Sequence, residues 1–270
     1  MKTKISSLFG KALLFTGLLA GTVNAQEAAP AATTAEDDSR LSFGVYANYA
    51  SKYIFRGQVL NDEAVLQGGA DLGVDLGDAG SLTFSWWGNY VTSNNDGSQE
   101  NRFNEYNWVV DYSVSLDAVD LSLGYIYYYF PGSSNETSEV YLGASFTAVE
   151  TADYSLSVSG TFYYDVDEVE DYYATVGLGS EYSLNDTWTL ESGVSVGYAG
   201  KDYNEFYFGD DSADWNDLTA SIGLSAPIDD NTSFSTSLVY STILGSDLND
   251  ATNDRDKDKV YLTIGVSYDF

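Results

Sequence analysis

The sequence predicts an all-β protein, an antiparallel transmembrane up-and-down β-barrel of about 12 strands. Three observations predict this fold. From residue 41 to Phe270, apolar and polar residues alternate with period two in about twelve segments separated by turn residues. The connections between segments alternate in length, and Tyr, Trp and Phe cluster toward segment ends, where membrane barrels carry aromatic girdles. A secreted soluble β-sandwich, the alternative fold, accounts for only the first of these features.

The chain begins with two segments that we expect to lie outside the barrel. In residues 1–25, lysines precede a short apolar stretch and VNA follows it, which is the layout of a cleavable secretory signal peptide. The apolar stretch is shorter than the roughly 20 residues that a membrane-spanning helix needs. Residues 26–40, QEAAPAATTAEDDSR, are small, acidic and aperiodic, and are predicted to be a flexible periplasmic leader. Residues 41–270 are the predicted transmembrane barrel.

The composition argues against several classes of function. Eleven Lys and Arg residues stand against 41 Asp and Glu residues, for a net charge of −30. Such acidity repels polyanions, so we expect no nucleic-acid partner. The chain has no Cys and no His, which removes disulfides, Ser-His nucleophiles and the commonest transition-metal ligand. We therefore predict a protein that is not an enzyme and has no cofactor and no dedicated metal site.

The connections predict which end of the barrel faces which side of the outer membrane. Bacterial barrels have short periplasmic turns and longer extracellular loops. The short connections are GDAG near Gly77, DAV near Asp117, VETAD near Val149 and LND near Leu184. The longer, polar ones include those that start at Thr92, Lys201 and Ser246.

The last segment, VYLTIGVSYDF, shows the alternation most regularly. Its apolar residues Ile264, Val266, Tyr268 and Phe270 are predicted to face lipid and to form the signal that the barrel-assembly machinery recognises. The opposite face is small and polar and is predicted to line the lumen. This segment should also pair with the first strand, because an open sheet edge in lipid leaves backbone groups without hydrogen bonds.

The same alternation assigns the other side chains to the lumen or to lipid. Continued along the first segment, it places Lys52 and Arg56 toward the lumen and Tyr53 and Phe55 toward lipid. The predicted pore-lining residues of the whole chain are Lys52, Arg56, Asp71, Trp87, Glu105, Asp111, Glu181 and Glu191.

These residues predict a porin-like channel in the outer membrane for passive diffusion of ions or small hydrophilic solutes. Two inward bases among several acids can form transverse ion pairs in a water-filled bore, and the acidic excess favours cations or zwitterions. The alternative is that Lys52 and Arg56 neutralise Asp71 and neighbouring acids and hold the wall together. The protein would then be a closed structural or adhesion barrel with acidic extracellular loops, its bore blocked by Tyr46, Trp87 and paired charges. The expected partners are outer-membrane lipid, the barrel-assembly machinery and small hydrophilic solutes or cations.

Three stretches resemble the TorF-like family of outer-membrane porins: SKYIFRG at residues 51–57, AVLQGGAD at residues 64–71 and WWGN at residues 86–89. The family opens with a pattern similar to Asp-Tyr-x-Phe-Arg-Gly, followed by Gln-Gly-Gly and a Trp-containing strand. Lys52 stands where the family has an acidic residue. The resemblance implies a small porin-like channel and marks Arg56 as a candidate functional residue, although an Arg at a strand end could also cap the first loop.

Overall fold

The structure is a computed structural model that describes residues 40–93, 100–133, 136–251 and 257–270. The predicted signal peptide, and the predicted leader apart from Arg40, lie outside these residues. The described part of the chain confirms the predicted fold class, because twelve strands form one closed antiparallel barrel. None of the helices in the described ranges is long and apolar enough to cross a membrane.

The described residues form fourteen strands and two short helices, in the following order along the chain. The strands are β1 (Leu41–Ala50), β2 (Tyr53–Phe55), β3 (Gln58–Asn61), β4 (Val65–Asp75), β5 (Ser81–Val91), β6 (Arg102–Leu116), β7 (Val119–Tyr129), β8 (Thr137–Glu150), β9 (Tyr154–Asp165), β10 (Tyr172–Ser183), β11 (Thr189–Ala199), β12 (Asp214–Pro227), β13 (Thr232–Ile243) and β14 (Asp258–Asp269). The helices are α1 (Lys201–Phe208) and α2 (Ser246–Ala251), and a single 3₁₀ turn covers Gly77–Ala79.

The wall of the barrel consists of β1 and β4 to β14, and each wall strand is paired with the wall strands that precede and follow it. β1 closes the wall by pairing with β14, from Gly44 opposite Asp269 to Ala50 opposite Thr263. Closure gives every wall strand two hydrogen-bonding partners, as an outer-membrane barrel requires. The last segment of the chain is therefore the closing strand, as predicted.

The two faces of the wall differ as the alternation predicts. Large apolar side chains point outward and are open to the surroundings; Leu142 and Val176, for example, are each 58% exposed. The inward positions carry mainly Ser, Thr, Gly and acidic residues toward the end with the short turns, which we call the turn side. At the other end, the loop side, the inward positions carry larger side chains that are buried.

The buried core of this protein lies inside the bore, at the loop side. Wall residues from several strands meet side chains that come from the loops, including Tyr203 and Phe208 of α1 and Leu248 of α2. α1 has the Asp171 carboxylate at its N-terminus, where it accepts hydrogen bonds from the Asp202 and Tyr203 amides at 2.8 and 3.0 Å. Because this acceptor comes from a different loop, the alternation of residues in the sequence does not predict the helix.

One expectation about the first segment is wrong. The wall strand ends at Ala50, and the chain then folds into the bore as the β2–β3 hairpin instead of continuing along the wall. Tyr53 and Phe55, predicted to face lipid, are only 6% and 9% exposed and pack inside the bore. The alternation of apolar and polar residues continues through β2 because β2 is also a strand. However, β2 pairs with β3 in a two-stranded sheet that is separate from the wall.

Candidate functional site

The candidate site is the loop-side half of the bore, which the β2–β3 hairpin fills. The hairpin turns at Arg56 and Gly57, with φ of 46° and 80°, between the paired residues Phe55 and Gln58. Positive φ at both central residues is the geometry of a tight type I′ turn, in which a non-glycine residue is uncommon. A Cβ on Gly57 would lie 2.9 Å from Cβ of Asp217 on β12, so the tip lies directly against the wall.

Arg56 forms a buried ion pair with Glu139 of β8. The guanidinium Nη1 and Nη2 donate to Oε1 and Oε2 of Glu139 at 2.7 and 2.9 Å, which is a bidentate pair. Arg56 is 1% exposed and Glu139 is 4% exposed. The Tyr128 hydroxyl donates to Oε2 of Glu139 at 2.6 Å, and the Tyr203 hydroxyl accepts from Nη1 of Arg56 at 3.4 Å. Two sides of the ion pair are thus bound by phenols.

Aromatic rings enclose the same guanidinium. Its Cζ lies 4.3 Å from the ring centre of Tyr173, 4.6 Å from that of Tyr163 and 4.8 Å from that of Phe55. Each ring can contribute a cation–π attraction, which is strongest where water is excluded. Burial, the largest single influence, lowers the pKa of Arg56, but the Glu139 carboxylate, the Tyr203 and Tyr128 phenols and the hydrogen bonds to Glu139 together outweigh burial and raise the pKa above its usual range. Arg56 therefore stays charged, and its charge is matched by Glu139.

The rest of the hairpin contacts other parts of the wall. The Tyr53 hydroxyl donates to Oε2 of Glu105 on β6 at 3.0 Å, and its ring centre lies 5.8 Å from that of Trp87 on β5. Ile54 packs in a buried cluster with Val239 of β13 and Tyr261 of β14. Since Arg56 reaches β8, β9 and β10, the hairpin has contacts on opposite sides of the bore and must cross its centre.

Lys52 lies at the base of the hairpin, where it pairs with Asp62. Its side chain is 27% exposed and that of Asp62 is 53% exposed, so this pair is far more open to water than the pair of Arg56 and Glu139. In the alternative reading of the sequence, Lys52 and Arg56 neutralise Asp71 and neighbouring acids. Within the described residues Asp71 belongs to neither pair, and it lies toward the turn side, on β4 opposite Ser85.

The predicted pore-lining residues thus separate into two groups. Arg56, Trp87 and Glu105 contact the hairpin or belong to it at the loop side. The others lie in the more polar turn-side half or, in the case of Lys52, at the hairpin base. In the turn-side half, Asp111 accepts a hydrogen bond from the Tyr141 hydroxyl at 2.5 Å, and Glu181 and Glu191 lie directly opposite each other on β10 and β11.

Most of the groups that surround Arg56 are not among the predicted site residues. Glu139 stands at an inward position of the alternation in β8, so the pattern could have indicated it. Tyr163 and Tyr173 also stand at inward positions, on β9 and β10, so the pattern could have indicated them as well. Tyr203 comes from α1 in a loop, and nothing in its local sequence points to the bore.

The chain resembles known proteins in its fold but not in its sequence. No protein-family model matches the chain, so the resemblance to the TorF-like family stays a prediction. No curated protein matches its sequence either. Among solved structures, an outer membrane channel from Pseudomonas putida F1 is similar with a TM-score of 0.56 and 11% identity, over 88% of this chain and 100% of that one. The NanC porin is similar with a TM-score of 0.52 and 15% identity, over 84% of this chain and 98% of that one.

The chain has the fold of outer-membrane channels. At identities this low, the TM-scores show that the folds are similar, and the comparison does not indicate which solute this protein takes. Inside this barrel lie an aromatic and ionic plug at the loop side and a polar, acidic half-lumen at the turn side.

Proposed function

We propose that this protein is an outer-membrane channel for passive diffusion of small hydrophilic solutes, closed at the loop side in this structure by the β2–β3 hairpin. The observation that carries the proposal is that the plug does not belong to the wall. The hairpin forms a separate two-stranded sheet, whereas the wall closes through its own twelve strands. Moving the hairpin would therefore leave the strand pairing of the wall intact and would empty the part of the bore that the hairpin occupies.

The outward face supports a location in the outer membrane, reached after export through a cleaved signal peptide. Its exposed apolar side chains would be covered by lipid, the environment in which only helices and closed barrels satisfy their backbone groups. Ile264, Val266 and Tyr268 of β14 are among these exposed residues, and Phe270 is 70% exposed. These residues are available for recognition by the barrel-assembly machinery before the membrane covers them.

The charges of the lumen favour cations or zwitterions over anions. In the turn-side half, Asp71, Asp111, Glu181 and Glu191 face the bore, whereas the positive charge of Arg56 is matched by Glu139. An acidic constriction attracts cations and repels anions. A reversal potential measured in a salt gradient tests this preference, and a clear anion preference would contradict it. The resemblance to the TorF-like family and the channel neighbours agree with a porin-like role.

A second candidate function is a permanently closed structural or adhesion barrel. The observation that favours it is the dense packing around the hairpin, where Arg56 at its turn and Trp87 of the wall are 1% and 2% exposed. In this second function the hairpin never leaves the bore, and its role is to stabilise the barrel. The two functions differ in what happens when the hairpin is removed.

The decisive experiment replaces residues 51–64 by a two-residue Asn-Gly turn. Ala50 and Val65 are directly paired at the ends of β1 and β4, so a two-residue turn fits between them. Wild type and variant are refolded in detergent and inserted into planar lipid bilayers. For a channel, we expect the wild type to be closed for most of the time and the shortened variant to conduct steadily.

Folding is checked separately, by far-UV circular dichroism and by the heat-dependent shift in gel mobility that folded barrels show. A variant that is folded and inserted but conducts no ions contradicts the channel function and supports the structural barrel.

A further inference from the structure

We propose that Glu181 and Glu191 form a binding site for one divalent cation, with Ca²⁺ as the best fit, in the turn-side half of the lumen. Glu181 of β10 lies directly opposite Glu191 of β11, two strands whose pairing is regular throughout. On the other side of β10, Glu181 lies opposite Ser155 of β9. The three residues therefore form one row across three neighbouring strands, and the alternation turns all three toward the bore.

Like charges directly opposite each other destabilise a sheet, because their Cβ atoms are only about 4.5–5.5 Å apart. None of the residues paired with Glu181 or Glu191 is a Lys or Arg; the partners are Ser155 for Glu181 and Gly223 for Glu191. Glu150, the partner of Ser155 on β8, adds another carboxylate at the exposed rim. A bound cation would remove the repulsion between the two opposed carboxylates.

Two buried oxygen atoms in this row lack partners, and they point to a ligand independently of the charge. Glu191 is 8% exposed and its Oε2 has no hydrogen-bond partner among the described residues. Ser155 is 4% exposed and its Oγ likewise has none in the described part of the chain. A buried polar atom without a partner is costly, so such atoms normally bind water or an ion. The other Glu191 oxygen, Oε1, accepts a hydrogen bond from the Ser225 hydroxyl.

The donor set indicates the kind of ion. It consists of oxygen atoms only, two carboxylates and the Ser155 hydroxyl, with Ser225 orienting Glu191. Oxygen ligands are those of the hard cations Ca²⁺ and Mg²⁺, and two carboxylates balance a divalent charge. Ca²⁺ accepts irregular geometry with six to eight oxygens, whereas Mg²⁺ demands a near-ideal octahedron. Carboxylates fixed on two strands, with water completing the shell, suit Ca²⁺ better.

The inference does not rest on the proposed channel function, since a closed barrel could hold the same ion. The test is isothermal titration calorimetry of CaCl₂ into the chelator-treated, refolded full barrel in a neutral detergent with excess NaCl. We expect one saturable site per barrel in the wild type and at least a tenfold loss of affinity in the double variant E181Q/E191Q. A parallel titration with MgCl₂ should show weaker binding.

The matched control is D117N/D120N, which also removes two carboxylates near the turn side, both at exposed positions. Asn tolerates the left-handed backbone that Asp117 adopts, with φ of 55°. This control should bind Ca²⁺ as the wild type does. Equal binding by E181Q/E191Q and wild type overturns the proposal, and so does an equal loss in both double variants, which would show attraction to overall charge only.

A second readout separates binding from misfolding. Thermal unfolding should shift upward with Ca²⁺ in the wild type and in D117N/D120N, but not in E181Q/E191Q. Without Ca²⁺, the E181Q/E191Q barrel should be at least as stable as the wild type, because the opposed charges are gone. If this variant is folded and Ca²⁺ still raises its unfolding temperature as in the wild type, the site does not lie at these residues.

Discussion

Replacing Glu139 by Gln should loosen the hairpin without disturbing the wall. The change leaves the Arg56 guanidinium buried at 1% exposure without the carboxylate that it binds through two hydrogen bonds of 2.7 and 2.9 Å. Removing one partner of a buried ion pair typically costs about 3–5 kcal/mol. Gln can still accept one of the hydrogen bonds, and the rings of Tyr173 and Tyr163 remain, so we expect the lower end, about 3 kcal/mol.

This free energy acts on the equilibrium between the seated and the displaced hairpin. Since about 1.4 kcal/mol corresponds to a factor of ten, a loss of about 3 kcal/mol raises the displaced fraction roughly a hundredfold while the wild-type fraction is small. The assay is the open probability of single channels in planar bilayers, measured on protein whose folding has been checked by gel mobility. E139Q should open far more often than the wild type, with the same conductance as the variant in which the Asn-Gly turn replaces residues 51–64.

The double variant R56Q/E139Q provides the control for the ion pair. Replacing both charged partners removes the uncompensated charge, so the double variant should open less often than E139Q alone. If E139Q opens no more often than the wild type while the shortened variant conducts, the channel function stands but the ion pair does not hold the hairpin.

Four further variants test separate parts of the structure. Gly57→Ala should also raise the open probability, because its φ is 80° and the new Cβ would lie 2.9 Å from Asp217. Lys52→Ala should change the open probability little, since a partly exposed ion pair contributes roughly 0–1 kcal/mol; a large effect would contradict the assignment of Lys52 to the hairpin base. Phe270→Asp should lower the yield of assembled barrel in cells more than refolding in detergent, whereas equal yields in cells would exclude an assembly signal. Asp171→Ala should destabilise α1 by about 1 kcal/mol, measured as faster amide hydrogen exchange in residues 201–208, and unchanged exchange would refute its capping role.

Much of the barrel wall could be predicted from the sequence. Successive side chains of a strand point to opposite faces, so alternation identifies the strands and also sorts their residues between lumen and lipid. The short turns indicate neighbouring antiparallel strands, and the requirement that no edge stay open in lipid implies that the last strand pairs with the first. For these reasons the pattern predicts that Asp71, Trp87 and Glu181 lie at inward positions of their strands.

The course of the first segment could not be predicted in the same way. A period of two indicates a strand but does not say which sheet the strand joins, so β2 looked like a continuation of β1. The hairpin turn was visible only as an Arg-Gly pair, a weaker signal than Asn-Gly or Asp-Gly. Tyr53 and Phe55 were assigned to lipid for this reason, and their burial follows from the inward fold of residues 51–64.

The sequence by itself determined the wall: its strands, its closure and the chemical contrast between its faces, because these follow from local periodicity and from the backbone's need for hydrogen bonds. Only the tertiary structure decided what fills the bore. Arg56 meets Glu139 across 83 residues of sequence, and α1 begins on a carboxylate 31 residues before Asp202. Such contacts depend on where the loops fold once the wall has formed. The direction that a loop takes does not produce a periodic pattern of apolar and polar residues, so the sequence pattern does not reveal it.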